Sequence, residues 1–366
     1  MRTVFVIGAG ANTEIGMPSG NELKFKIAEL LNFSSANSGG INGDKLIYST
    51  ISLYSRDGDC VNSDRETELI NAAINISKAM PLSISIDNYI EAHKNDLKTA
   101  FCGKLAITRA ILNSEQSCAM FHVYEKSLLT PVILQERIEQ FNKSWYPLFF
   151  QKITEGCRVD ELAERLGDVS FIIFNYDRCF EYFMYKALMV YYNISHDEAR
   201  NFVQNLHISH PYGTVGNLWD NKGKCTFGDS PDSTQLIHLA QKIKTFTESR
   251  ELEKVMEYNV QYLVERADRI IFLGFAYYEQ NIDLLFKNKG EQIDTIPLSE
   301  NTVCYGTGYQ ISEDDMPLIR NSLILSNKKI KGCYISDIKC AQFFRDFWYR
   351  LSFKPAQTDQ DRTIPL

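Results

Sequence analysis

The chain has 366 residues, of which 44% are hydrophobic and 12% aromatic, so it is long enough for one large or two ordinary domains with a sizeable core. The formal charge of −7 and the lack of any run of basic residues exclude a generally basic surface. We therefore expect neither direct nucleic-acid binding nor membrane association.

The cysteines also limit the class of protein. All nine are scattered along the chain, and none forms a Cys-x-x-Cys pair. This pattern is typical of reduced thiols rather than of disulfides or a zinc site. No stretch approaches the roughly 20 apolar residues of a membrane span, and the run Val4–Ile7 is too short for the core of a signal peptide. We expect a cytoplasmic protein that binds no zinc.

The first predicted element is a strand followed by a glycine turn. Val4–Ile7 has the length and branching of an inner parallel strand, and Gly8, Ala9, Gly10 and Ala11 follow it. Glycines at this place let the backbone turn sharply and approach a nucleotide phosphate closely. Glycine turns after a first strand also occur merely to pack a helix on a sheet, so the turn alone leaves both interpretations open.

The segment after the turn departs from the common dinucleotide fingerprint. A hydride-transferring Rossmann domain has a third glycine at position 13 and, roughly 20 residues on, a strand that ends in an acidic ribose ligand. Here position 13 is Thr13, and Pro18 and Ser19 open a helix with a capping box instead. The loop is therefore long and polar, and we expect Asn12, Thr13 and Glu14 to face a bound ligand.

Helical patterns dominate from residue 35 to residue 166, which we interpret as a helical insertion. Short apolar runs then alternate with stretches of helical length, which predicts an α/β fold with a Rossmann-like parallel sheet flanked by helices. The predicted α/β domain comprises residues 1–34 and 167–354, and residues 355–366 form a polar tail. The later strands are predicted at Val169–Phe174, Ile270–Gly274, Val303–Gly306 and Cys333–Ser336.

Polar residues follow the second strand of this sheet directly. Asn175 and Asp177 lie at the carboxyl end of the strand, where open α/β sheets bind their ligands. Asp177 is equally suited to cap the next helix, whereas Asn175 lies too far from that helix to be needed as a cap. Glu181, one turn further on, could orient either residue, pair with Arg178 or lie on a solvated helix face.

Two histidines lie in the next extended segment. His210 precedes the turn Pro211-Tyr-Gly213, which should expose its side chain, whereas His207 suits a structural role. A neutral imidazole can accept a proton from a sugar hydroxyl or from water near pH 7. His210 is therefore a candidate base.

A third polar segment follows the strand at Ile270–Gly274. Gly274 and Phe275 stand at the strand end, where a ribose or phosphate can approach the backbone. Asn281 can bind sugar hydroxyls from the start of the next helix or act as its N-cap.

Taken in chain order, these segments resemble the sirtuin fold, and more closely the sirtuin-like NAD-cleaving effectors of bacterial antiphage defence. The segments are Gly8-Ala-Gly10 with Gly16-Met-Pro18, Phe174-Asn-Tyr-Asp177, His210-Pro-Tyr-Gly213, and Gly274-Phe275 with Asn281.

The resemblance implies a role for each motif. In that family the glycine loop holds the NAD pyrophosphate and ribose, an Asn matching Asn175 positions the nicotinamide ribose and the attacking water, and a His matching His210 acts as base. Catalysis is thus expected from Asn175, His210 and Asp177. The residues expected to contact NAD are Gly8, Ala9, Gly10, Ala11, Asn12, Thr13, Pro18, Ser19, Gly274, Phe275 and Asn281.

Two departures from the protein-deacylating sirtuins bear on the reaction. Those enzymes carry a zinc module with two Cys-x-x-Cys pairs, and here the helical insertion stands in its place. Water is then the expected acceptor, and the products are nicotinamide and ADP-ribose. Ser19-Gly20 also replaces the Asp-Phe-Arg that deacylases have after the proline, so the details of substrate geometry in this loop do not transfer.

The leading hypothesis is therefore an NAD⁺ glycohydrolase that acts in antiphage defence by depleting NAD⁺. Such an activity needs restraint, which we expect from a homo-oligomer or from a partner such as a HerA-like ATPase or an Argonaute-type protein. The alternatives are an NAD-dependent deacylase or ADP-ribosyltransferase, and a non-catalytic module that senses a nucleotide.

Overall fold

The computed structural model describes residues 1–34, 42–125, 129–219, 225–253, 260–286 and 301–353. The predicted polar tail, residues 355–366, lies outside the described residues, as does most of the loop that the Ser, Asn and Gly content predicts between residues 34 and 44.

The centre of the fold is a six-stranded sheet in which every neighbouring pair is parallel. Counted in chain order, its strands stand in the order third, second, first, fourth, fifth, sixth, which is the order of the doubly wound nucleotide-binding fold. The predicted Rossmann-like α/β class is confirmed. The strands are β1 (Thr3–Ile7), β4 (Val169–Ile173), β5 (His207–Ser209), β6 (Arg269–Leu273), β7 (Thr302–Thr307) and β8 (Ile330–Ser336), while β2 (Arg56–Asp57) and β3 (Cys60–Val61) form a separate hairpin.

The inner strands have the composition that burial on both faces demands. Every residue of β1, β4 and β6 is buried, and most are Val, Ile, Leu or Phe. Four of the five predicted strands lie within one residue of these bounds, and the fifth, predicted at Cys333–Ser336, begins three residues earlier, at Ile330. Three short strands were not predicted as strands. They are β5, an edge strand of three residues with the sequence His-Ile-Ser that was described only as an extended segment, and the hairpin strands β2 and β3.

Helices cover the sheet and fill the segment between β1 and β4. The helices are α1 (Gly20–Leu30), α2 (Lys45–Tyr54), α3 (Ser63–Ala79), α4 (Ile86–Ala92), α5 (Leu97–Ser117), α6 (Ala119–Tyr124), α7 (Pro131–Lys143), α8 (Trp145–Thr154), α9 (Val159–Gly167), α10 (Cys179–Tyr192), α11 (His196–Gln204), α12 (Ser233–Ala240), α13 (Phe246–Glu253), α14 (Val260–Arg266), α15 (Glu279–Phe286), α16 (Asp315–Ser326) and α17 (Cys340–Asp346). No helix in these described ranges is long and apolar enough to cross a membrane.

The helical segment α2 to α9 shares its core with the sheet. Phe149 of α8 makes edge contacts with Phe5 of β1 and Phe171 of β4, at ring-centroid distances of 5.5 and 6.0 Å. The latter two rings stack on each other at 5.5 Å. Aromatic pairs of this geometry contribute beyond their buried area, so α8 is fixed firmly against the sheet. The side chains that α8 carries at its first turn are thereby brought to the carboxyl end of β1.

Candidate functional site

The candidate site lies where the strand order reverses. Ile7 pairs with Ile173 of β4 on one side and with Leu273 of β6 on the other, so the three strands end level. The residues that follow them therefore lie side by side at the carboxyl edge of the sheet. In doubly wound folds this crevice is where ligands bind.

The glycines at this edge have a clear structural use. The N–H of Gly8 donates to the carbonyl of Leu273 at 2.9 Å, and the N–H of Gly10 donates to that of Gly274 at 3.0 Å. A Cβ on Gly8 would lie 2.5 Å from the Gly274 oxygen, and one on Gly274 would lie 1.8 Å from the Ala11 nitrogen. Gly274 also has a φ of +55°, in the left-handed region. Glycine is therefore required here, because two backbone segments pack directly against each other. Both of these N–H groups are already hydrogen-bonded, so a phosphate would have to bind other groups of the loop.

In the polar loop, Asn12 is buried and Glu14 is half-buried, whereas Thr13 is exposed. Residues Ala9–Ile15 form a short 3-10 helix, within which the Thr13 hydroxyl donates to the Gly10 carbonyl at 2.8 Å. Glu14 accepts from the backbone N–H groups of Trp145 and Ala341 at 2.8 and 2.9 Å. Burial raises the pKa of Glu14 although these two bonds oppose the shift. Glu14 therefore ties the loop to its neighbours.

The helix that follows the loop begins as the sequence predicts. Pro18 precedes Ser19, whose hydroxyl accepts from the N–H of Glu22 at 3.2 Å while the Glu22 carboxylate accepts from the N–H of Ser19 at 2.8 Å. This capping box occupies the Ser19 hydroxyl at the start of α1.

Asn12 and Asp177 form a buried polar cluster with a tyrosine. The Asn12 amide donates to both carboxylate oxygens of Asp177, at 2.9 and 3.1 Å, and accepts from the Tyr146 hydroxyl at 2.7 Å. Asp177 also accepts from the N–H of Cys179, the first residue of α10, at 3.0 Å, although the N-cap position itself is Arg178. Burial raises the pKa of Asp177, and the bonds from Cys179 and Asn12 partly offset that shift.

Asn175 is a buried residue whose side chain has neither of its polar atoms hydrogen-bonded among the described residues. The residue is only 3% exposed. Buried polar groups are almost always paired, and an exception calls for an explanation such as local strain, a catalytic role or a water, ion or ligand that binds there. This unsatisfied amide stands directly after β4 at the carboxyl edge of the sheet.

His210 lies beside Asn175 and is paired with Glu181. Its Nε2 lies 2.8 Å from Oε1 of Glu181, and its Nδ1 lies 3.4 Å from the backbone oxygen of Asn175. The turn after His210 is present, since Gly213 donates to its carbonyl at 3.0 Å, but the imidazole is only 13% exposed because it turns toward Glu181. Burial lowers the pKa of His210, and the charge and hydrogen bond of Glu181 outweigh this so that the net shift is upward.

Aromatic side chains from the ends of β4 and β6 and from the segment after β5 pack together next to Asn175 and His210. Phe174 makes edge contacts with Phe275 at 5.2 Å and with Tyr212 at 5.8 Å between ring centroids. Asn281 is the third residue of α15 and accepts from the Tyr212 hydroxyl at 2.8 Å, so its side chain links that helix to the segment after β5. The predicted residues of β4, β5 and β6 are thus brought together at one edge.

Several residues that contact the site come from the helical segment, and sequence patterns alone did not single them out. Tyr146 reaches Asn12, and the indole N–H of Trp145 donates to the carbonyl of Ala11 at 3.1 Å. The Glu115 carboxylate binds Arg178 at 2.5 Å, so Arg178 does not pair with Glu181. The Tyr176 hydroxyl donates to Asp87. Each partner lies more than 60 positions away in sequence, and no local spacing indicates such a contact.

No group of three or more His, Cys, Asp or Glu side chains is arranged to hold a metal ion in the described ranges. A cavity of ≈ 280 Å³ lies elsewhere, at the amino end of β5, and contains none of the predicted site residues. It is lined by Ala163, Leu166, Gly167, Glu198, Asn201, Phe202, Asn205, Leu206 and His207.

In comparison with known proteins, the chain matches no protein-family model and no curated protein.

Proposed function

We propose that this chain is an NAD⁺ glycohydrolase that cleaves NAD⁺ to nicotinamide and ADP-ribose. The observation that carries the proposal is the buried, unpartnered amide of Asn175, next to the His210–Glu181 pair at the edge of the sheet where doubly wound folds bind nucleotides.

Hydrolysis of NAD⁺ requires few functional groups beyond those of Asn175 and His210. Nicotinamide leaves as a neutral molecule, so breaking its bond to ribose needs no general acid. The reaction needs a positioned nucleophile and support for an oxocarbenium-like transition state. The free donor and acceptor of Asn175 suit a sugar hydroxyl or the attacking water, and His210 suits the removal of a proton from that water.

The burial of the site is consistent with a restrained activity. Asn175 is 3% exposed and Asp177 is 5% exposed, so a substrate has to displace neighbouring side chains before it reaches them. We propose that homo-oligomerisation or a partner protein favours that opening. The resemblance to sirtuin-like antiphage effectors suggests a HerA-like ATPase or an Argonaute-type protein as the partner, and NAD⁺ depletion in the cytoplasm as the outcome.

The test is a time course of the purified full chain with NAD⁺ that resolves nicotinamide, ADP-ribose and cyclic ADP-ribose. Wild type is compared with Asn175→Ala and with the control Asn205→Ala, in which an exposed asparagine is changed. Wild type and control should release nicotinamide and ADP-ribose at equal rates, with or without an acetyl-lysine peptide. Asn175→Ala should lose about 10²- to 10³-fold in rate, the scale of one transition-state hydrogen bond.

Three other results would contradict the proposal or favour a different function. Turnover by Asn175→Ala at the native rate would overturn the assignment of Asn175. Nicotinamide release that requires the peptide would indicate a deacylase or ADP-ribosyltransferase. NAD⁺ binding without turnover, also in the presence of candidate partners, would indicate a nucleotide-sensing module.

A further inference from the structure

We propose that Glu181 is a positioning residue that fixes the proton of His210 on Nε2 and so leaves Nδ1, beside Asn175, as the atom that accepts a proton. This inference deepens the proposed function and rests on it for its catalytic meaning, but the state of the imidazole can be measured without any turnover.

The geometry of the pair assigns the two ring nitrogens. Glu181 Oε1 lies 2.8 Å from Nε2, and an ionised carboxylate can only accept, so the proton belongs on Nε2. Nδ1 lies 3.4 Å from the Asn175 carbonyl oxygen, which can only accept, so this long contact is a hydrogen bond only when Nδ1 carries a proton. The 2.8 Å bond to the charged carboxylate is the stronger of the two and holds the single proton of the neutral ring on Nε2. In the neutral ring Nδ1 therefore carries the lone pair and lies next to the residue with the unsatisfied amide.

The carboxylate of Glu181 makes no hydrogen bond to any described residue other than His210. Its second oxygen, Oε2, is buried without a hydrogen-bond partner among those residues. A largely buried carboxylate with a single partner contributes poorly to stability, because its desolvation is scarcely offset. Its value therefore lies in what it does to His210.

The other charges near the imidazole do not replace Glu181. Asp177 is the second nearby carboxylate, but both of its oxygens are hydrogen-bonded to Asn12. Arg178, on the same turn as Glu181, is bound by Glu115 at 2.5 Å. Glu181 is thus the group that contacts the imidazole directly, and its charge stabilises the imidazolium that forms when Nδ1 takes up a proton.

In the proposed hydrolysis the water oxygen forms a bond to the anomeric carbon, and the bond from that carbon to the pyridinium nitrogen breaks with its electron pair going to nicotinamide. The proton released from the water moves to Nδ1 of His210. Glu181 keeps the Nε2 proton hydrogen-bonded throughout and is not itself protonated.

The experiment is a titration of ¹⁵N-histidine-labelled full-length protein by long-range ¹H–¹⁵N NMR, with His210→Gln used to assign the His210 signals among the six histidines. Wild type is compared with Glu181→Gln, which keeps the volume, with Glu181→Asp, which keeps the charge but shortens the reach, and with Glu164→Gln, a control on an exposed glutamate of α9. Circular dichroism and thermal melting confirm that each variant is folded.

The expected result is that His210 of wild type carries its neutral-state proton on Nε2, and that its pKa falls in Glu181→Gln, falls less in Glu181→Asp and is unchanged in the control. The acidic limb of the NAD⁺ hydrolysis profile should move to lower pH in step, while kcat above that limb falls by about 10²- to 10⁴-fold. KM should change little.

The outcomes separate the two proposals. A neutral-state proton on Nδ1, or a His210 pKa that is the same in folded Glu181→Gln and wild type, would overturn the role of Glu181 whatever the enzyme activity. The expected NMR shifts without any NAD⁺ hydrolysis would support the pair and reject the proposed reaction.

Discussion

The amide of Asn12 donates to both carboxylate oxygens of Asp177, at 2.9 and 3.1 Å, although the two residues are 165 positions apart. Through this contact the loop after β1 is joined to the loop after β4. The structure thus contains two buried asparagines at one edge of the sheet, Asn12 with all of its contacts inside the protein and Asn175 with an unpaired side chain. The side chain of Asn12 therefore holds the two loops together, whereas that of Asn175 makes no such contact among the described residues.

Replacing Asn12 should cost stability. Asn12→Leu keeps the volume but leaves the Tyr146 hydroxyl and part of the Asp177 carboxylate unpaired, and each buried group left without a partner costs about 1–3 kcal/mol. We expect the free energy of unfolding to fall by about 2–4 kcal/mol, measured by urea denaturation. Asn205→Ala, at an exposed asparagine, should change it by less than about 0.5 kcal/mol. Equal values for the two variants would contradict the contribution of the cluster.

The same substitution at Asn175 should have the opposite effect. Its amide has no hydrogen bond to lose among the described residues, and an apolar side chain of similar shape removes the cost of burying an unpaired polar group. The urea midpoint of Asn175→Leu should therefore equal or exceed that of wild type, while NAD⁺ hydrolysis is lost. A clear loss of stability would mean that Asn175 supports the fold rather than a ligand.

The glycine at the end of β6 should tolerate no side chain. Gly274→Ala places a Cβ 1.8 Å from the Ala11 nitrogen at a residue with a φ of +55°, and neither backbone can yield easily. We expect a loss of at least about 3 kcal/mol, or failure to fold. Gly20→Ala is the matched control, because a Cβ there meets nothing within 4 Å at the start of α1. It should be neutral or stabilising by up to about 1 kcal/mol in thermal and urea unfolding.

The sequence was sufficient to predict the sheet but not the contacts of its loops. Continuous apolar runs such as Phe171-Ile-Ile-Phe174 indicate buried parallel strands, and the capping spacing of Ser19 and Glu22 indicates the start of α1. Strand β5 was missed because three residues with a polar first and last position carry no such signal. Local pattern therefore predicts an element when its burial is uniform and its length is ordinary.

Side-chain direction in the loops depended on partners that are distant in sequence. Asn12 and Glu14 were expected to face a ligand, yet they are bound by Tyr146 and by the N–H groups of Trp145 and Ala341, between 131 and 327 positions away. These contacts exist because α8 and α17 pack beside the loop, which no local spacing reveals. The pairing of His210 with Glu181 was not among the roles that the sequence suggested for Glu181, because the two residues lie on different elements 29 positions apart.

The buried ion pair of Glu115 and Arg178 should be costly to break. Their side chains are 0% and 1% exposed and are joined at 2.5 Å, while Arg178 also donates to the Cys225 carbonyl at 2.6 Å. Glu115→Gln leaves the guanidinium without its counter-charge, and losing one partner of a buried pair costs about 3–5 kcal/mol. Glu139→Gln, at an exposed pair with Lys143, should cost at most about 0.5 kcal/mol in the same urea experiment. A small effect at Glu115 would show that solvent reaches Arg178 readily.

The stability contributed by His210 should decline as the pH rises. Burial lowers the pKa of His210, but the charge and hydrogen bond of Glu181 outweigh burial, so the folded protein binds the imidazole proton more tightly than the unfolded chain does. The contribution is therefore fully present below the ordinary histidine pKa of about 6.5 and is lost as the pH rises through the higher folded value.

The measurement is the difference in free energy of unfolding between wild type and His210→Gln, taken from about pH 6 to about pH 9. This difference should shrink with pH, whereas Asn205→Ala, at an exposed residue without a titratable group, should leave the pH dependence of wild type unchanged. A difference that grows with pH would mean that burial, not Glu181, dominates at His210, and the imidazole would then be neutral across the physiological range.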